Sequence, residues 1–208
     1  MEAAWMGLKE VTEVAKEEIK FILNEVIKNN ISELDTLGQD IEKLKKIAKS
    51  DFPTITYTEA IKILNEKEKL NVEWGKDLRT IEEDKLMNHF DTPVVVTNYP
   101  LEIMAFYKPK DPNNPKTALC FDMIAPDGYG EIVGGSQRSL DIKEMTKRLK
   151  EMGENIKNYD WYFDLRKYGS VPHSGYGVGV ERVIAWICGL DNIKDTIPFP
   201  RTILRYRP

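Results

Sequence analysis

Cysteine and histidine are scarce in this sequence, which has two of each among its 208 residues. With so few, no Cys/His cluster has the spacing of a zinc site. Cys120 and Cys188 each lie inside an apolar run, which predicts buried, reduced thiols rather than a disulfide. The sequence also lacks an apolar stretch long enough to cross a bilayer, and its acidic N-terminus has no apolar signal core. These absences predict a cytoplasmic protein without a membrane partner.

An excess of positive charge is also missing. The 30 Lys and Arg residues are outnumbered by 34 Asp and Glu residues, which gives a net charge of −4 at pH 7. No overall positive field therefore points to a nucleic-acid partner, although a local basic patch stays open. Hydrophobic residues make up 41% of the chain, and its length suits one domain, or one domain with a small appendage.

The first part of the sequence is predicted to be helical. Residues 7–31 place apolar side chains at steps of three and four, which is typical of a long amphipathic helix with one buried stripe. A second, charged helix is predicted around 38–49. A third begins after Thr56, because Thr56 and Glu59 have the spacing of a capping box.

The pattern changes after about residue 90, where strands are predicted. Three apolar segments read as strands: "TPVVVTNYP" (92–100), "TALCFDMIAP" (117–126) and "GEIVGGSQR" (130–138). A tight "GYG" turn at 128–130 joins the last two as a hairpin. Helices are predicted at 140–151 and 155–168. Helices followed by a mainly antiparallel sheet indicate an α+β fold, and we expect the helices on one side of the sheet.

The segment "GYGVGVERVIAWICGL" (175–190) combines alternating glycines with Arg182 at the start of an apolar helix. Alternating glycines leave one face of a strand without side chains, so that a flat ligand can lie against the backbone. An arginine inside a core needs an anionic partner, which phosphate or carboxylate can provide. The G-x-G-x-G spacing and the missing βαβ context do not fit a dinucleotide fold. A close-packed strand with a surface ion pair is the alternative.

Two carboxylates and a second arginine lie on the predicted hairpin. Asp122 and Glu131 fall on its two strands, where they could share a divalent cation that binds phosphate oxygens. Arg138 follows Glu131 by seven residues, and an odd offset puts it on the opposite face of the strand. A bulge in the "GGS" at 134–136 would restore the same face. The alternative is that Asp122 is a turn residue and that the other two are solvated.

The loops between these elements add three further candidates. Tyr99 and Pro100 predict a turn before a short helical "LEIM" segment, and Phe106 with Tyr107 could form the wall of a small pocket. Aromatic residues in such places are also common in cores. His173 precedes the glycine strand and could enter the pocket as a hydrogen-bond donor, or be structural or solvated.

Together these motifs resemble a known family. "GYGVGVER" resembles the third signature of class II aminoacyl-tRNA synthetases, whose arginine contacts the γ-phosphate of ATP. "GEIVGGSQR" is similar to the strand that supplies an ATP/Mg²⁺ carboxylate and a substrate arginine in the aspartyl and asparaginyl branch. "YGSVPHSG" and "WICGL", with "TIPFPR" after them, look like the asparaginyl, archaeal-type version. The similarity covers almost all 208 residues and is most specific from about residue 92.

The resemblance implies a role for ten residues in all. Those for ATP are Glu131, Gly179, Val180, Glu181 and Arg182, of which Glu131 and Arg182 would be catalytic. Those for the amino acid are Arg138, Ser136, Tyr107 and His173. Those for Mg²⁺ are Glu131 and Asp122. In the aspartyl type a serine stands three residues after the Mg²⁺ glutamate, whereas this sequence has Gly134.

By the same resemblance, residues 1–208 would form the C-terminal portion of a class II synthetase catalytic domain. "MEAAWMGLKEV" (1–11) is similar to the tail of the second signature. The first signature, the α-phosphate arginine of the second and the N-terminal anticodon-binding domain would be absent. The expected partners are asparagine, ATP, tRNA(Asn) and either a second copy in a homodimer or a missing N-terminal portion.

The implied activity is the conversion of asparagine and ATP to asparaginyl-adenylate, followed by transfer to tRNA(Asn). The expectation for this chain alone is weak aminoacylation or none. Two alternatives remain open: a synthetase-related asparagine synthetase that amidates aspartyl-adenylate with ammonia, and a nucleotide-binding module without catalysis.

Overall fold

A computed structural model describes residues 1–205 and 207. The strands are β1 (Glu2–Ala4), β2 (Thr54–Thr56), β3 (Val94–Thr97), β4 (Cys120–Ala125), β5 (Gly130–Gln137) and β6 (His173–Val178). The α-helices are α1 (Leu8–Asn29), α2 (Ile31–Thr36), α3 (Ile41–Lys49), α4 (Tyr57–Glu66), α5 (Thr80–Met87), α6 (Ile142–Glu151), α7 (Asp160–Lys167) and α8 (Val180–Cys188). Single 3₁₀ turns lie at Leu101–Ile103, Ile156–Tyr159 and Ile193–Thr196.

The six strands form one sheet in the order β1-β6-β5-β4-β3-β2. Only the β2–β3 pair is parallel, so the predicted α+β fold with a mainly antiparallel sheet flanked by helices is confirmed. The sequence analysis missed β1 and β2 because each has three residues, too few for a readable alternation.

Helices cover both faces of this sheet, so the prediction of helices on one side was wrong. Neighbouring residues of β3 show the two coverings: Val95 packs into the cluster around α1, whereas Val94 and Val96 pack into the cluster around α4 and α5. A continuous apolar run is typical of a strand that is buried on both sides. We call the two sides the α1 face and the α4 face.

The α4 face is covered on one half only. Helix α4 packs against β2 and β3, and α5 against β4 and β5, whereas α1 packs against β4, β5 and β6 on the other face. On the α4 face, β5 carries Gly134 and β6 carries Gly175 and Gly177 in place of core side chains, and β1 follows β6 at the edge of the sheet. We call this part the open half of the α4 face.

Local sequence explains where the main helices begin and end. The buried stripe of α1 includes Val11, Ala15 and Ile19, all completely inaccessible to solvent, which confirms the predicted amphipathic helix. The predicted capping box of α4 is present: the Thr56 hydroxyl accepts a hydrogen bond from the Glu59 amide at 3.2 Å, and Glu59 accepts one from the Thr56 amide at 2.7 Å.

The predicted helix at 155–168 is divided in two. A 3₁₀ turn at Ile156–Tyr159 precedes α7, because the backbone of Tyr159 (φ −116°, ψ 8°) is not helical. Cys120 is buried as predicted, whereas the prediction of burial was wrong for Cys188, which is half-buried at the end of α8; both are free thiols. Within residues 1–205 and 207, no helix is long and apolar enough to span a membrane.

Candidate functional site

A β-bulge at the start of β5 brings Glu131 to the α4 face. Asp122 of β4 lies opposite Gly134, and Met123 lies opposite Val133, but Ile124 lies opposite Glu131. The register therefore skips Ile132. Because of this extra residue, Glu131 and Gly134 share a face although they are three positions apart.

The bulge was expected further along the strand, at 134–136, and that position was wrong. The pairing of β5 with β6 is regular from Val133 to Gln137. Gly134, Ser136 and Arg138 consequently follow one another on one face at steps of two. The expected consequence holds, since Glu131 and Arg138 lie on the same face of the sheet.

Gly134 provides the space that the Glu131 carboxylate occupies. A Cβ atom at Gly134 would overlap with Oε1 of Glu131 and would lie 3.4 Å from Oδ1 of Asp122. The two carboxylates therefore lie close together above Gly134. Any side chain at this position would force Glu131 to move, so the observed position of Glu131 requires glycine at 134.

A third carboxylate, Glu83, approaches this pair from α5. Burial and then the charge of Glu131 raise the pKa of Glu83 to about 7, while the charge of Arg182 opposes the rise. Burial and then the charge of Glu131 raise the pKa of Asp122 to about 7, while Lys108 and a hydrogen bond with Tyr99 act the other way. The crowded negative charge at this end of the open half calls for a cation.

The candidate metal ligands at this end are all carboxylate oxygens, and Mg²⁺ prefers oxygen ligands. In the part of the chain that the structure describes, no group of three or more Asp, Glu, His or Cys residues could hold a metal ion by itself. Magnesium usually takes one or two carboxylates and completes its shell with waters and substrate phosphates. Asp122 and Glu131 fit such an ion as a pair.

At the other end of the open half, Arg138 lies in a ring of polar and aromatic partners. Its Nη2 lies 2.6 Å from Oε1 of Glu2, and its Nη1 donates to the Ser136 hydroxyl at 2.5 Å. The Tyr107 ring lies under the guanidinium, with 5.3 Å between its centroid and Cζ. The three contacts hold the guanidinium in one orientation over the sheet.

Glu2 is a site residue that the sequence analysis missed. It lies on β1, opposite Gly175 of β6, and a Cβ at Gly175 would overlap with the Glu2 carboxylate. The resemblance of residues 1–11 to the second signature pointed to this segment but gave Glu2 no role; its position beside the glycine strand comes from the pairing of β1 with β6. Glu83 gave no such signal, because the sequence analysis predicted no helix at α5.

The alternating glycines of β6 have two different uses. Gly175 leaves space for Glu2, whereas nothing lies within 4 Å of a Cβ placed at Gly177. Gly177 is paired with Gly134, so two glycines stand side by side between Arg138 and the carboxylates. Gly177 leaves the backbone bare, as the sequence predicted, whereas the Glu131 carboxylate lies over Gly134. Tyr176, which stands between Gly175 and Gly177 along β6, is buried on the α1 face.

His173 lies at the rim of the site beside Arg138. The Arg138 amide donates to the His173 carbonyl at 3.0 Å, and Nδ1 of the ring lies 2.8 Å from the Val171 carbonyl oxygen. The imidazole is half-buried. Phe106 packs edge-on against Tyr107 at 5.5 Å, and both pack against the cluster around Met145 and Leu149. Of the two, Tyr107 also contacts Arg138.

Arg182 was expected inside a core, and that expectation was wrong. The side chain is exposed, and its Nη1 donates to the Tyr129 carbonyl at 3.5 Å. It lies on the first turn of α8, after the N-cap Gly179, with Val180 and Glu181 also exposed. The first amides of a helix have no partner within the helix, so this end can bind an anion together with Arg182.

Comparisons with known proteins agree on one family. The family model of class II tRNA synthetases (D, K and N) matches residues 1–203. The asparagine–tRNA ligase of Lactobacillus gasseri is 45% identical over 207 residues, and that of Pyrococcus furiosus 46% over 208; each match covers this whole chain and 48% of the relative.

Solved structures give the same picture. The asparaginyl-tRNA synthetase of Pyrococcus horikoshii complexed with asparaginyl-adenylate is 46% identical, with a TM-score of 0.94 over this whole chain and 47% of that one. The Entamoeba histolytica asparaginyl-tRNA synthetase complex is 30% identical, with a TM-score of 0.88 over this whole chain and 47% of its own. This chain spans about half the length of the relatives it matches. By sequence and by fold, the chain belongs to the class II tRNA synthetases of the D, K and N group.

Proposed function

We propose that this chain carries the asparagine site and part of the ATP site of an asparagine–tRNA ligase. The observation that carries the proposal is the Arg138–Glu2 pair, which lies at one end of a bare glycine floor with Asp122 and Glu131 at the other. Such a floor separates a polar recognition site from a phosphate site. The similarity to asparagine–tRNA ligases over the whole chain supports the same assignment.

The Arg138–Glu2 pair fits a side-chain carboxamide better than a carboxylate. A carboxamide presents an oxygen, which accepts from the Arg138 guanidinium, and an NH₂ group, which donates to the Glu2 carboxylate. Aspartate would instead bring a second negative charge next to Glu2. Ser136 and Tyr107 hold Arg138 in place, and His173 closes the rim.

The opposite end fits the triphosphate of ATP. The exposed Arg182 guanidinium and the backbone of Gly179, Val180 and Glu181 at the start of α8 would bind the terminal phosphates. Asp122 and Glu131 would hold Mg²⁺, which when bound neutralises phosphate charge.

The reaction then needs no nucleophilic side chain. An oxygen of the asparagine carboxylate attacks the α-phosphorus of ATP in line, and the bond to pyrophosphate breaks, which gives asparaginyl-adenylate. The terminal hydroxyl of tRNA(Asn) afterwards takes the acyl group and releases AMP. The protein contributes the positioning of the two substrates and the neutralisation of charge.

For the whole protein we propose that residues 1–208 are the C-terminal portion of the catalytic domain, working in the cytoplasm. A homodimer partner or a further portion would supply the remaining ATP contacts. Since the chain spans about half the length of its relatives, we expect it to aminoacylate tRNA(Asn) weakly or not at all when tested alone.

ATP–pyrophosphate exchange, run separately with asparagine and with aspartate, tests the proposal. We expect exchange with asparagine only, and its loss in Arg138→Ala. Calorimetry with a non-hydrolysable asparaginyl-adenylate analogue tests the same site without turnover. Exchange with aspartate and amidation by ammonia would favour an asparagine synthetase. If the chain binds ATP but neither catalyses pyrophosphate exchange nor binds the analogue, a non-catalytic module is favoured.

A further inference from the structure

Arg148 is a half-buried residue of α6 that makes four long-range hydrogen bonds to backbone carbonyls. Its Nη2 donates to the carbonyls of Leu101 at 2.7 Å and Met104 at 2.6 Å. Its Nη1 donates to the carbonyls of Lys108 at 2.9 Å and Ala105 at 3.2 Å. All four acceptors belong to one loop.

This arrangement is specific to a planar, five-donor group. The Leu101–Ile103 segment is a single 3₁₀ turn and binds little of its own backbone. The Leu101 carbonyl also accepts from the Met104 amide at 3.2 Å, and the Ala105 carbonyl from the Lys108 amide at 3.0 Å. The Arg148 fork adds a second donor to these two oxygens and also binds the carbonyls of Met104 and Lys108. Among the described residues no carboxylate forms an ion pair with Arg148, so the loop carbonyls are its main partners. Lys110 and Glu144 add an ion pair of 3.2 Å between the same loop and α6.

The loop ends at the asparagine side of the candidate site. Tyr107 lies between two of the carbonyls that Arg148 binds, those of Ala105 and Lys108, and its ring packs on Arg138. The Tyr107 carbonyl accepts from the Ser139 amide at 2.8 Å, which links the loop to the residue after Arg138. A change in the path of the loop therefore moves the surface on which the guanidinium rests.

We propose that Arg148 is a positioning residue for amino-acid binding: it fixes the 101–108 loop so that Tyr107 supports Arg138. The inference rests on the proposed function, because it assigns Arg138 to the amino-acid side chain. It predicts a selective effect. Loss of the guanidinium weakens asparagine binding and leaves the distant ATP end unchanged.

The test compares Arg148→Met and Arg148→Lys with Lys147→Met, a matched control on the same helix. Lys147 makes only an exposed ion pair with Glu151, at 3.7 Å. Calorimetry gives Kd for asparagine and for ATP in separate titrations, and hydrogen exchange reports the amides of 101–108. For Arg148→Met we expect the asparagine Kd to rise about tenfold, the scale of one lost hydrogen bond to a charged group, and that of ATP to change less than about twofold.

We expect Arg148→Met to lose exchange protection in the loop, Arg148→Lys to recover part of the affinity and Lys147→Met to match the wild type. An unchanged asparagine Kd overturns the proposal even if the loop loosens. Equal weakening of both ligands, or the same effect from Lys147→Met, also overturns it, because either indicates general destabilisation. If the wild type binds neither ligand, the proposed function has failed. Hydrogen exchange of the amides of 101–108 then decides by itself whether Arg148 fixes the loop.

Discussion

The two faces of β5 and β6 use glycine for opposite purposes. On the α1 face, Gly135 lies between Phe121 and Tyr176, and a Cβ there would overlap with the Phe121 ring. On the α4 face, a Cβ at Gly134 would overlap only with the end of the Glu131 side chain, and one at Gly177 would meet nothing within 4 Å. Glycine therefore lets side chains pack on one face and leaves room for a ligand on the other. Stability should depend on the first face and binding on the second.

The largest expected effect is on the α1 face. Phe121→Ala removes a completely buried ring, and we expect the free energy of unfolding to fall by about 3–5 kcal/mol through lost burial and a cavity. Urea denaturation followed by circular dichroism measures it. Phe21→Ala is the matched control, because Phe21 is 65% exposed on α1; its effect should stay within about 0.5 kcal/mol. Equal effects would contradict the division into a packed and an open face.

The two adjacent glycines provide a sharper test of the comparison. Gly135→Ala should reduce the free energy of unfolding by about 1–3 kcal/mol, because the methyl group would have to displace the Phe121 ring. Gly134→Ala should reduce it by less than about 1 kcal/mol, since the exposed Glu131 side chain can rotate away. In return, only Gly134→Ala should weaken Mg²⁺-dependent ATP binding in calorimetry. The reverse order of stabilities would show that we have assigned the faces wrongly.

The carboxylates of the open half should make stability depend on pH. The folded-state pKa of Asp122 and of Glu83 is about 7, above the ordinary values of 3.8 and 4.5. Below about pH 3 both groups are largely protonated in both states. As pH rises from 4 to 7, the unfolded chain releases protons that the folded chain retains, so the stability of the folded chain is lost over this range.

We expect Asp122→Asn to reduce this loss of stability by about 1–3 kcal/mol. Urea denaturation at pH 5, 6, 7 and 8 measures it. Asp84→Asn, an exposed aspartate next to Glu83 on α5, is the control and should retain the wild-type pH dependence. An identical pH dependence in wild type and Asp122→Asn would mean that burial and the charge of Glu131 do not raise the pKa of Asp122 as the structure indicates.

The elements that were predicted correctly have a regular spacing of apolar residues or a clear capping or turn motif at their ends. The stripe of α1, the capping box at Thr56 and the hairpin turn at 128–130 are all local signals, and the structure confirms them. The helical covering of both faces was not predicted, because the apolar run of β3 indicates burial without saying which helices provide it. Order along the chain did not reveal that α4 and α5 cross to the opposite face.

The candidate site was predictable where its residues share a strand and not where they come from distant elements. Arg138 and Ser136 follow from the alternation along β5, and Glu131 joins them through a bulge whose position no residue pattern marked. Glu2 is separated from Arg138 by 136 positions, so only the pairing of β1 with β6 shows their contact. Arg182 is exposed because it lies on the side of α8 that no other described element covers. The apolar residues that follow it in the sequence indicated a buried helix and gave no sign of this exposed side.

The smallest expected effect on stability belongs to Gly177, and it isolates the function of the open half. Its backbone is not in the left-handed region and nothing lies within 4 Å of an added Cβ, so Gly177→Ala should change the free energy of unfolding by less than about 1 kcal/mol, in the stabilising direction. The same methyl group stands on the floor between Arg138 and the carboxylates. We expect calorimetry to show binding of an asparaginyl-adenylate analogue weakened by about tenfold or more, because a ligand that lies against bare backbone cannot move aside. If Gly177→Ala kept wild-type affinity, the ligand would have to bind elsewhere. Neither the backbone conformation nor the packing requires glycine at this position.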